Sequence, residues 1–326
     1  MKYREFSNVG WKVSEIGIGC WAIGSEWGDV SPENAKDALF TSLDNGVNFF
    51  DTADVYGDGR SEKFIGEILK NTKEKIYVAT KAGRRLDPHV SEGYNLNNIE
   101  AFIDRSLLNL GIDTIDLLQL HCPPSDICGK SETYEMMDEI VKKGKIKYYG
   151  VSVEKVSEAL DAIKFSNVKS IQIIFNIFRQ KPNEIFFKEA KKNNVAIIVR
   201  VPLASGLLTG KMNLNSSFPK NDHRNYNING DSFDVGETFS GINFHKGIEA
   251  VKELKTLLPQ DFSLTDLALK WILSHDEVTV VIPGAKNKLQ AQLNTRASEM
   301  NNINTIMNSI SDIYQSYFKD DVHSRW

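Results

Sequence analysis

Four side chains capable of acid–base chemistry stand near the ends of short apolar runs, which are typical of buried strands. Asp51, Lys81 and His121 each come directly after such a run. Tyr56 lies five residues after Asp51, in a Gly-rich turn. A carboxylate at the end of a buried strand is costly unless it is paired. If the three runs are neighbouring strands of a parallel sheet, the four side chains meet at one rim of that sheet.

Together these groups would suit proton delivery to an oxygen that receives negative charge. A tyrosine phenol has a pKa of about 10 in water, so it releases a proton poorly at neutral pH. We expect the ammonium of Lys81 to lower the pKa of Tyr56, and Asp51 to hold Lys81 in place. His121 can orient a carbonyl oxygen by a hydrogen bond. Hydride transfer to an aldehyde or ketone creates such an oxygen, and it requires a nicotinamide because no side chain carries hydride.

Each of the four residues also has a structural interpretation. Asp51 could cap a loop, Lys81 could be a surface charge, and Tyr56 and His121 could be packed or buried groups whose polar atoms are satisfied. Their joint occurrence at three consecutive strand ends favours the chemical interpretation.

Eight strand-like runs alternate with helical patterns along the chain. They cover residues 16–19, 47–50, 76–80, 115–120, 146–152, 170–175, 195–199 and 278–282. The alternation predicts an α/β fold, a (β/α)8 TIM barrel in a single domain over residues 1–326, preceded by a hairpin of residues 3–6 and 11–13. A doubly wound sheet is the competitor, but its dinucleotide fingerprint needs a third glycine three positions after Gly19 and then a helix, which the sequence lacks.

The segment 211–243 after the seventh strand is rich in Asn, Ser, Gly and Asp, and it has little periodicity. Loops of this length in compact domains are usually lids or disordered segments, so we expect one or the other here.

Composition excludes several classes of protein. The net charge of −4, with no cluster of Lys and Arg, argues against nonspecific nucleic-acid binding. Cys20, Cys122 and Cys128 lack CxxC spacing, so we expect neither a disulfide framework nor a metal site. No apolar run approaches 18 residues, and the chain starts without an apolar signal core. These features predict a soluble, cytoplasmic protein without a membrane partner.

At these residues the sequence resembles the aldo-keto reductase superfamily, over nearly the whole chain. The matching motifs are Asp51-Thr52-Ala53-Asp54-Val55-Tyr56-Gly57, Ser61-Glu62 leading to Gly66, Ala79-Thr80-Lys81, Leu117 to His121, Lys143 to Ile146, Gly150-Val151-Ser152, Pro202 to Lys211 and Ile282 to Lys286. The resemblance implies a catalytic tetrad of Asp51, Tyr56, Lys81 and His121. It also implies NADPH-dependent reduction of a carbonyl compound.

The resemblance also implies where the cofactor lies. Ser152 and Gln172 match positions that bind the nicotinamide carboxamide, and the segment 202–207 with Lys211 matches the one that crosses the pyrophosphate. Ser205-Gly206 would free backbone N–H groups there. Lys286 would approach the ribose 2′-phosphate. The full cofactor set is Gly19, Cys20, Trp21, Asp51, Ser152, Gln172, Arg200, Pro202, Leu203, Ser205, Gly206, Leu207, Lys211, Arg224, Ile282, Gly284, Lys286, and, near the adenine, Gln290 and Asn294.

Several positions depart from the family pattern. Val153 replaces an asparagine that many members have after the serine at 152. Gly284 and Gln290 replace residues that are basic in many NADPH-specific members, which leaves Lys286 and Arg224 to pair with a 2′-phosphate. NADPH is therefore favoured, and NADH is possible. Arg200 stands where other branches have an aromatic ring against the nicotinamide; a guanidinium can stack on a ring as well.

The substrate pocket is expected to include Trp21, Trp27, Tyr56 and His121, with the loop after Lys211 and the tail to Trp326 closing it. Such aromatic walls would suit a sugar or an aryl carbonyl. The sequence selects no single substrate, reaction direction or oligomeric state. A second functional hypothesis is a cofactor-binding regulatory subunit, similar to the channel-associated β-subunits of the superfamily. The presence of all four tetrad residues favours the enzyme.

Overall fold

The computed structural model describes residues 1–326 and contains one eight-stranded parallel sheet whose strand order follows the chain. After an antiparallel hairpin of β1 (Tyr3–Phe6) and β2 (Trp11–Ser14), the sheet runs through β3 (Ile18–Gly19), β4 (Phe49–Asp51), β5 (Tyr77–Ala82), β6 (Ile115–His121), β7 (Ile146–Ser152), β8 (Val168–Ile174), β9 (Ala196–Arg200) and β10 (Val278–Val281). Parallel bridges Ile16–Val281 and Gly19–Gly284 join the first strand to the last. The predicted (β/α)8 barrel with an N-terminal hairpin is confirmed.

The helices are α1 (Trp21–Gly24), α2 (Pro32–Asp44), α3 (Arg60–Asn71), α4 (Leu96–Leu110), α5 (Ser131–Lys142), α6 (Val156–Ala162), α7 (Phe186–Lys192), α8 (His223–Tyr226), α9 (Phe244–Thr256), α10 (Leu264–Leu273), α11 (Lys288–Arg296), α12 (Met307–Tyr317) and α13 (Lys319–Val322). Local signals explain several ends: the Ser31 hydroxyl accepts a hydrogen bond from the backbone N–H of Asn34, and Gly111 stops α4 in the left-handed conformation. None of the helices has the length and hydropathy that a bilayer span requires.

The hairpin closes the amino end of the barrel. Phe6, Trp11 and Val13 form a small apolar core with interior residues near the starts of the barrel strands, among them Phe49 and Ala196. The centroid of the Phe6 ring lies 5.5 Å from that of Trp11 and 5.6 Å from that of Phe49. The carboxyl ends of the strands are therefore the end left for a site, as is usual in this fold.

The segment 211–243 is an ordered wall and contains α8 and two 3-10 turns, Val235–Glu237 and Phe239–Gly241. The Ser205 hydroxyl donates to the Glu237 carbonyl and accepts from the Phe239 N–H, both at 3.0 Å. The Asn176 amide donates to the Ser240 hydroxyl at 2.7 Å. Of the two sequence-based alternatives, the disordered one is wrong, because these bonds join the segment to the barrel. The sequence patterns also missed α9, which follows directly.

The hairpin core predicts a specific loss of stability. We expect Phe6→Ala to lower the free energy of unfolding by about 3–5 kcal/mol, because a fully buried aromatic ring leaves a cavity among other rings. Urea unfolding followed by circular dichroism measures the change. Leu108→Ala, at a side chain that is 81% exposed, is the control and should stay within about 0.5 kcal/mol of the wild type. Equal midpoints for the two variants would contradict a packing role for the hairpin.

Candidate active site

A buried ion pair joins two adjacent barrel strands at the centre of the site. Lys81 Nζ donates to Asp51 Oδ2 at 2.6 Å and to the Thr52 carbonyl at 2.7 Å. The second carboxylate oxygen of Asp51 accepts from the amide of Gln172 at 2.7 Å and from that of Gln119 at 3.2 Å. These bonds offset the cost of burying the two charges. The sequence alone does not predict this role of Gln119.

Tyr56 stands above this pair, in the turn between β4 and α3. Its hydroxyl lies 3.3 Å from Lys81 Nζ, and its ring stacks on Trp21 with centroids 6.0 Å apart. The structure thus brings together the acid, the amine and the phenol that the sequence predicted to meet.

The pKa of Tyr56 lies well above its ordinary value, mainly because of burial and also because of the nearby charges of Asp51 and Glu237. Arg84 and Arg200 lower this pKa by a smaller amount. The net shift of the Tyr56 pKa is therefore opposite to the lowering that we expected from Lys81, because desolvation of the enclosed phenol outweighs the nearby cations. The phenol keeps its proton at neutral pH, which is the state required of a proton donor.

His121 ends β6 and faces Tyr56 edge-on, with ring centroids 5.9 Å apart. Burial lowers the pKa of His121 well below its usual range, and the cations Arg84, Lys81 and Arg200 lower it further. The imidazole is therefore neutral and has one N–H to donate. Its Nδ1 is buried and has no partner within the protein. Such a ring can donate a hydrogen bond to a carbonyl oxygen.

A cavity of about 920 Å³ opens at this end of the barrel. Its wall contains all four residues predicted for the substrate pocket, together with these members of the predicted cofactor set: Gly19, Trp21, Asp51, Ser152, Gln172, Arg200, Pro202, Leu203, Ser205, Gly206, Lys211, Arg224, Ile282, Gly284, Lys286, Gln290 and Asn294. Cys20 and Leu207 are fully buried and do not line the cavity. Lys81 is also fully buried, behind Tyr56.

Several of the predicted cofactor groups already have partners in the protein. The Gly206 N–H donates to the Leu203 carbonyl at 2.9 Å, so the expectation that it is free is wrong. The Gln290 side chain accepts from the Lys286 N–H at 2.9 Å, and the Asn294 side chain donates to the Gly284 carbonyl at 3.1 Å. These two bonds shape the loop that precedes α11.

Two predicted cations differ in how far their charge is neutralised. Arg224 forms a salt bridge with Asp222 at 2.6 Å and stacks over the rings of Trp27 and Phe218. Lys286 Nζ donates only to the Trp27 carbonyl, and no carboxylate pairs with it. Burial and the charge of Arg224 lower the pKa of Lys286. Lys286 is therefore more available than Arg224 to pair with an anionic ligand.

Four charged residues form a closed ring in the wall near Tyr56. Arg84 contacts Glu154 at 3.5 Å and Glu237 at 3.6 Å, and Arg200 contacts the same carboxylates at 3.0 and 2.6 Å. Arg200 is thus held by carboxylates. The other three members were not predicted from the sequence. Arg84 and Glu154 stand just past strand ends, which is a usable signal, whereas Glu237 lies in the long loop and carries none.

His223 fastens the long loop to the two tryptophans of the pocket. Its ring lies 4.7 Å from that of Trp21 and 4.6 Å from that of Trp27, and Nδ1 is 3.0 Å from the Thr238 hydroxyl. Burial lowers the pKa of His223 to about 3. This residue was not singled out from the sequence.

Comparison with known proteins places these features in context. A model of the "Aldo/keto reductase family" matches residues 15–314. A Schizosaccharomyces pombe protein named aldo-keto reductase yakc, with "NADP(+)" in its name, is 30% identical over 84% of this chain and 80% of its own length. A probable voltage-gated potassium channel subunit beta from Arabidopsis thaliana is 29% identical over 97% of each chain. The structure of aldo-keto reductase AKR11C1 from Bacillus halodurans (holo form) matches with a TM-score of 0.76 at 29% identity, covering 100% of this chain and 99% of that one.

The buried position of His223 predicts that the folded protein loses stability as the pH falls. Its folded-state pKa of about 3 lies below the unfolded value of about 6.5, so the unfolded chain takes up the proton first. The associated stability is present above pH ~6.5 and is lost as the pH falls toward ~3. Between pH 6.5 and 5 we expect a loss of about 2 kcal/mol through this residue. Glutamine does not titrate in this range. In His223→Gln the free energy of unfolding, measured with urea at the two pH values, should therefore fall by about 2 kcal/mol less than in the wild type. Parallel losses in the two proteins would contradict the assignment.

Proposed function

Because the chain belongs to the aldo/keto reductase family of oxidoreductases, we propose that it reduces an aldehyde or ketone to an alcohol with NADPH or NADH, or catalyses the reverse reaction. One observation carries the proposal: the continuous contact from Asp51 through Lys81 to the hydroxyl of Tyr56, which opens on a large cavity. Nothing in this contact requires a metal ion.

The cavity suits a dinucleotide. Its volume of about 920 Å³ lies at the upper end of the range usual for cofactor pockets. One end carries the neutral His121 and protonated Tyr56, and the other carries the cations Lys211, Arg224 and Lys286, which suit phosphate groups. Ser152 and Gln172 would face the nicotinamide, which supplies the hydride when it is bound.

In the proposed reaction the protein positions the carbonyl oxygen and protonates it. His121 donates a hydrogen bond to that oxygen and fixes its position. Tyr56 gives up its proton as negative charge develops there, and the adjacent ammonium of Lys81 stabilises the phenolate that results. Asp51 holds the Lys81 ammonium in position through their 2.6 Å contact. In the reverse direction the same phenolate would take the proton from an alcohol.

We propose NADPH as the preferred cofactor, with NADH as a possible substitute. The support is Lys286, whose ammonium has no carboxylate partner and lines the far end of the cavity. Arg224 contributes less because Asp222 neutralises it. The S. pombe relative with "NADP(+)" in its name is consistent with this preference.

A binding role without turnover is the second candidate, since one similar protein is named as a probable potassium channel subunit. The complete Asp51–Lys81–Tyr56 contact favours the enzyme. The test of Tyr56 below separates the two.

We expect Tyr56→Phe to lower kcat by about 10²–10⁴-fold, because the proton donor is lost while the ring remains. Turnover is followed by NADPH absorbance with 4-nitrobenzaldehyde as the carbonyl compound. NADPH binding, measured by quenching of tryptophan fluorescence, should be unchanged.

Tyr148→Phe is the matched control, because this tyrosine packs against Trp11 at the opposite end of the barrel, with ring centroids 5.2 Å apart. It should retain wild-type turnover. If the wild type and Tyr56→Phe bind NADPH and are equally inert across a screen of aldehydes, ketones and alcohols, the binding-protein candidate replaces the enzyme.

The cofactor preference depends on Lys286. We expect Lys286→Met to weaken NADPH binding by about tenfold, which is less than a full charge-assisted contact is worth. The binding of NADH, which lacks the 2′-phosphate, should weaken by less than about twofold. Fluorescence quenching titrations with both cofactors measure this difference. Lys288→Met removes the same charge from an exposed side chain two residues away and serves as the control. Equal losses for the two cofactors would show that Lys286 does not read the 2′-phosphate.

A further inference from the structure

The ring of Arg84, Glu154, Arg200 and Glu237 lies in the wall of the cavity beside the reacting groups. All four residues line the cavity with Tyr56. The charges of Arg84 and Arg200 act on both Tyr56 and His121. A carbonyl compound held by the catalytic groups would therefore lie within the electric field of the ring.

The ring leaves no unpaired cation. Each arginine contacts both glutamates, and the four distances lie between 2.6 and 3.6 Å. Arg84 is the most accessible member, with 25% of its side chain exposed, whereas the side chain of Glu237 is 6% exposed. The positive charge that reaches the cavity at this point is thus already balanced by two carboxylates.

Two further carboxylates, Glu26 and Asp234, also line the cavity, and only Asp234 has a nearby cation, the buried Arg179. Glu26 accepts a hydrogen bond from the Trp21 indole at 2.6 Å, and Asp234 accepts one from the Trp326 indole at 3.1 Å. Neither forms a salt bridge. The local charge near the substrate position is therefore neutral to negative, and a second anion brought there would be repelled.

We propose that this site selects carbonyl substrates whose remaining part is uncharged, and that Glu237 is the specificity-determining residue that keeps carboxylate- and phosphate-bearing carbonyl compounds out. The inference rests on the proposed reductase function. Glu237 has this effect because it contacts both arginines and, with Glu154, balances their two positive charges. Without its charge, the two arginines share only Glu154, and a net positive charge remains to bind an anionic substrate.

Two aldehydes of the same shape test the proposal: 4-formylbenzamide, which is neutral, and 4-formylbenzoate, which carries a carboxylate. The wild type should have the higher kcat/KM for the amide. In Glu237→Gln the ratio of kcat/KM for amide over carboxylate should fall by about tenfold or more, as one charge-assisted contact becomes available. In Arg84→Met the ratio should rise, because the remaining ring is negative.

The opposite signs of the two variants distinguish charge selection from loss of structure, since general damage would lower kcat/KM for both aldehydes alike. Glu249→Gln, an exposed position on α9, removes the same charge and should leave the ratio unchanged. NADPH binding by fluorescence quenching verifies that each variant retains its cofactor site.

A wild type that accepts both aldehydes equally, or a ratio that Glu237→Gln shifts no more than Glu249→Gln does, would overturn the proposal. If the amide is turned over but Glu237→Gln leaves the amide-to-carboxylate ratio of kcat/KM unchanged, the specificity inference fails while the proposed function stands. If no variant turns over either aldehyde while NADPH still binds, and alcohols and other carbonyl compounds are inert too, the proposed function fails and the inference falls with it.

Discussion

The buried ion pair between Asp51 and Lys81 is the constraint on which the rest of the site depends. Two charges in a barrel interior are tolerated only where geometry and extra hydrogen bonds compensate for lost hydration. Here the Thr52 carbonyl accepts a hydrogen bond from the ammonium, and the amides of Gln172 and Gln119 donate to the second carboxylate oxygen. Removing either charge would leave the other buried and uncompensated, so the pair can persist only as a unit. Tyr56 gains its nearby cation from this arrangement.

The barrel register determines why the polar groups meet. Side chains two residues apart on a strand face the same way, so each interior position is followed by another one level higher. Four strands place an apolar residue in the core under the hairpin and a polar residue two positions later: Phe49 and Asp51, Ala79 and Lys81, Leu117 and Gln119, Ile198 and Arg200. The lower level is apolar and packs against the hairpin. The upper level is polar and contains the Asp51–Lys81 ion pair, so both levels follow from one alternating pattern.

This layering explains which features the sequence could predict. Strand ends are local signals, and they predicted the barrel and the meeting of Asp51, Lys81 and Tyr56 at its rim. Properties that depend on tertiary burial were not accessible. The pKa of Tyr56 rises because the folded chain encloses the phenol, and sequence spacing reports only its neighbours. Likewise, the bonds that order the segment 211–243 come from Ser205 and Asn176, which are distant from most of it in the chain.

Glu237 shows how such a segment completes a site that the strands begin. Strand β9 supplies Arg200, and the loops after β5 and β7 supply Arg84 and Glu154. Without a fourth charge this group would be positive next to His121, whose imidazole is neutral. The segment supplies Glu237 through its backbone contact with Ser205, so the same bonds that order the segment also balance the charge. The unpaired ammonium of Lys286 remains at the far end of the cavity. Positive charge is thus kept where phosphate groups would lie and cancelled where the carbonyl substrate would react, and this separation depends on the position of one loop.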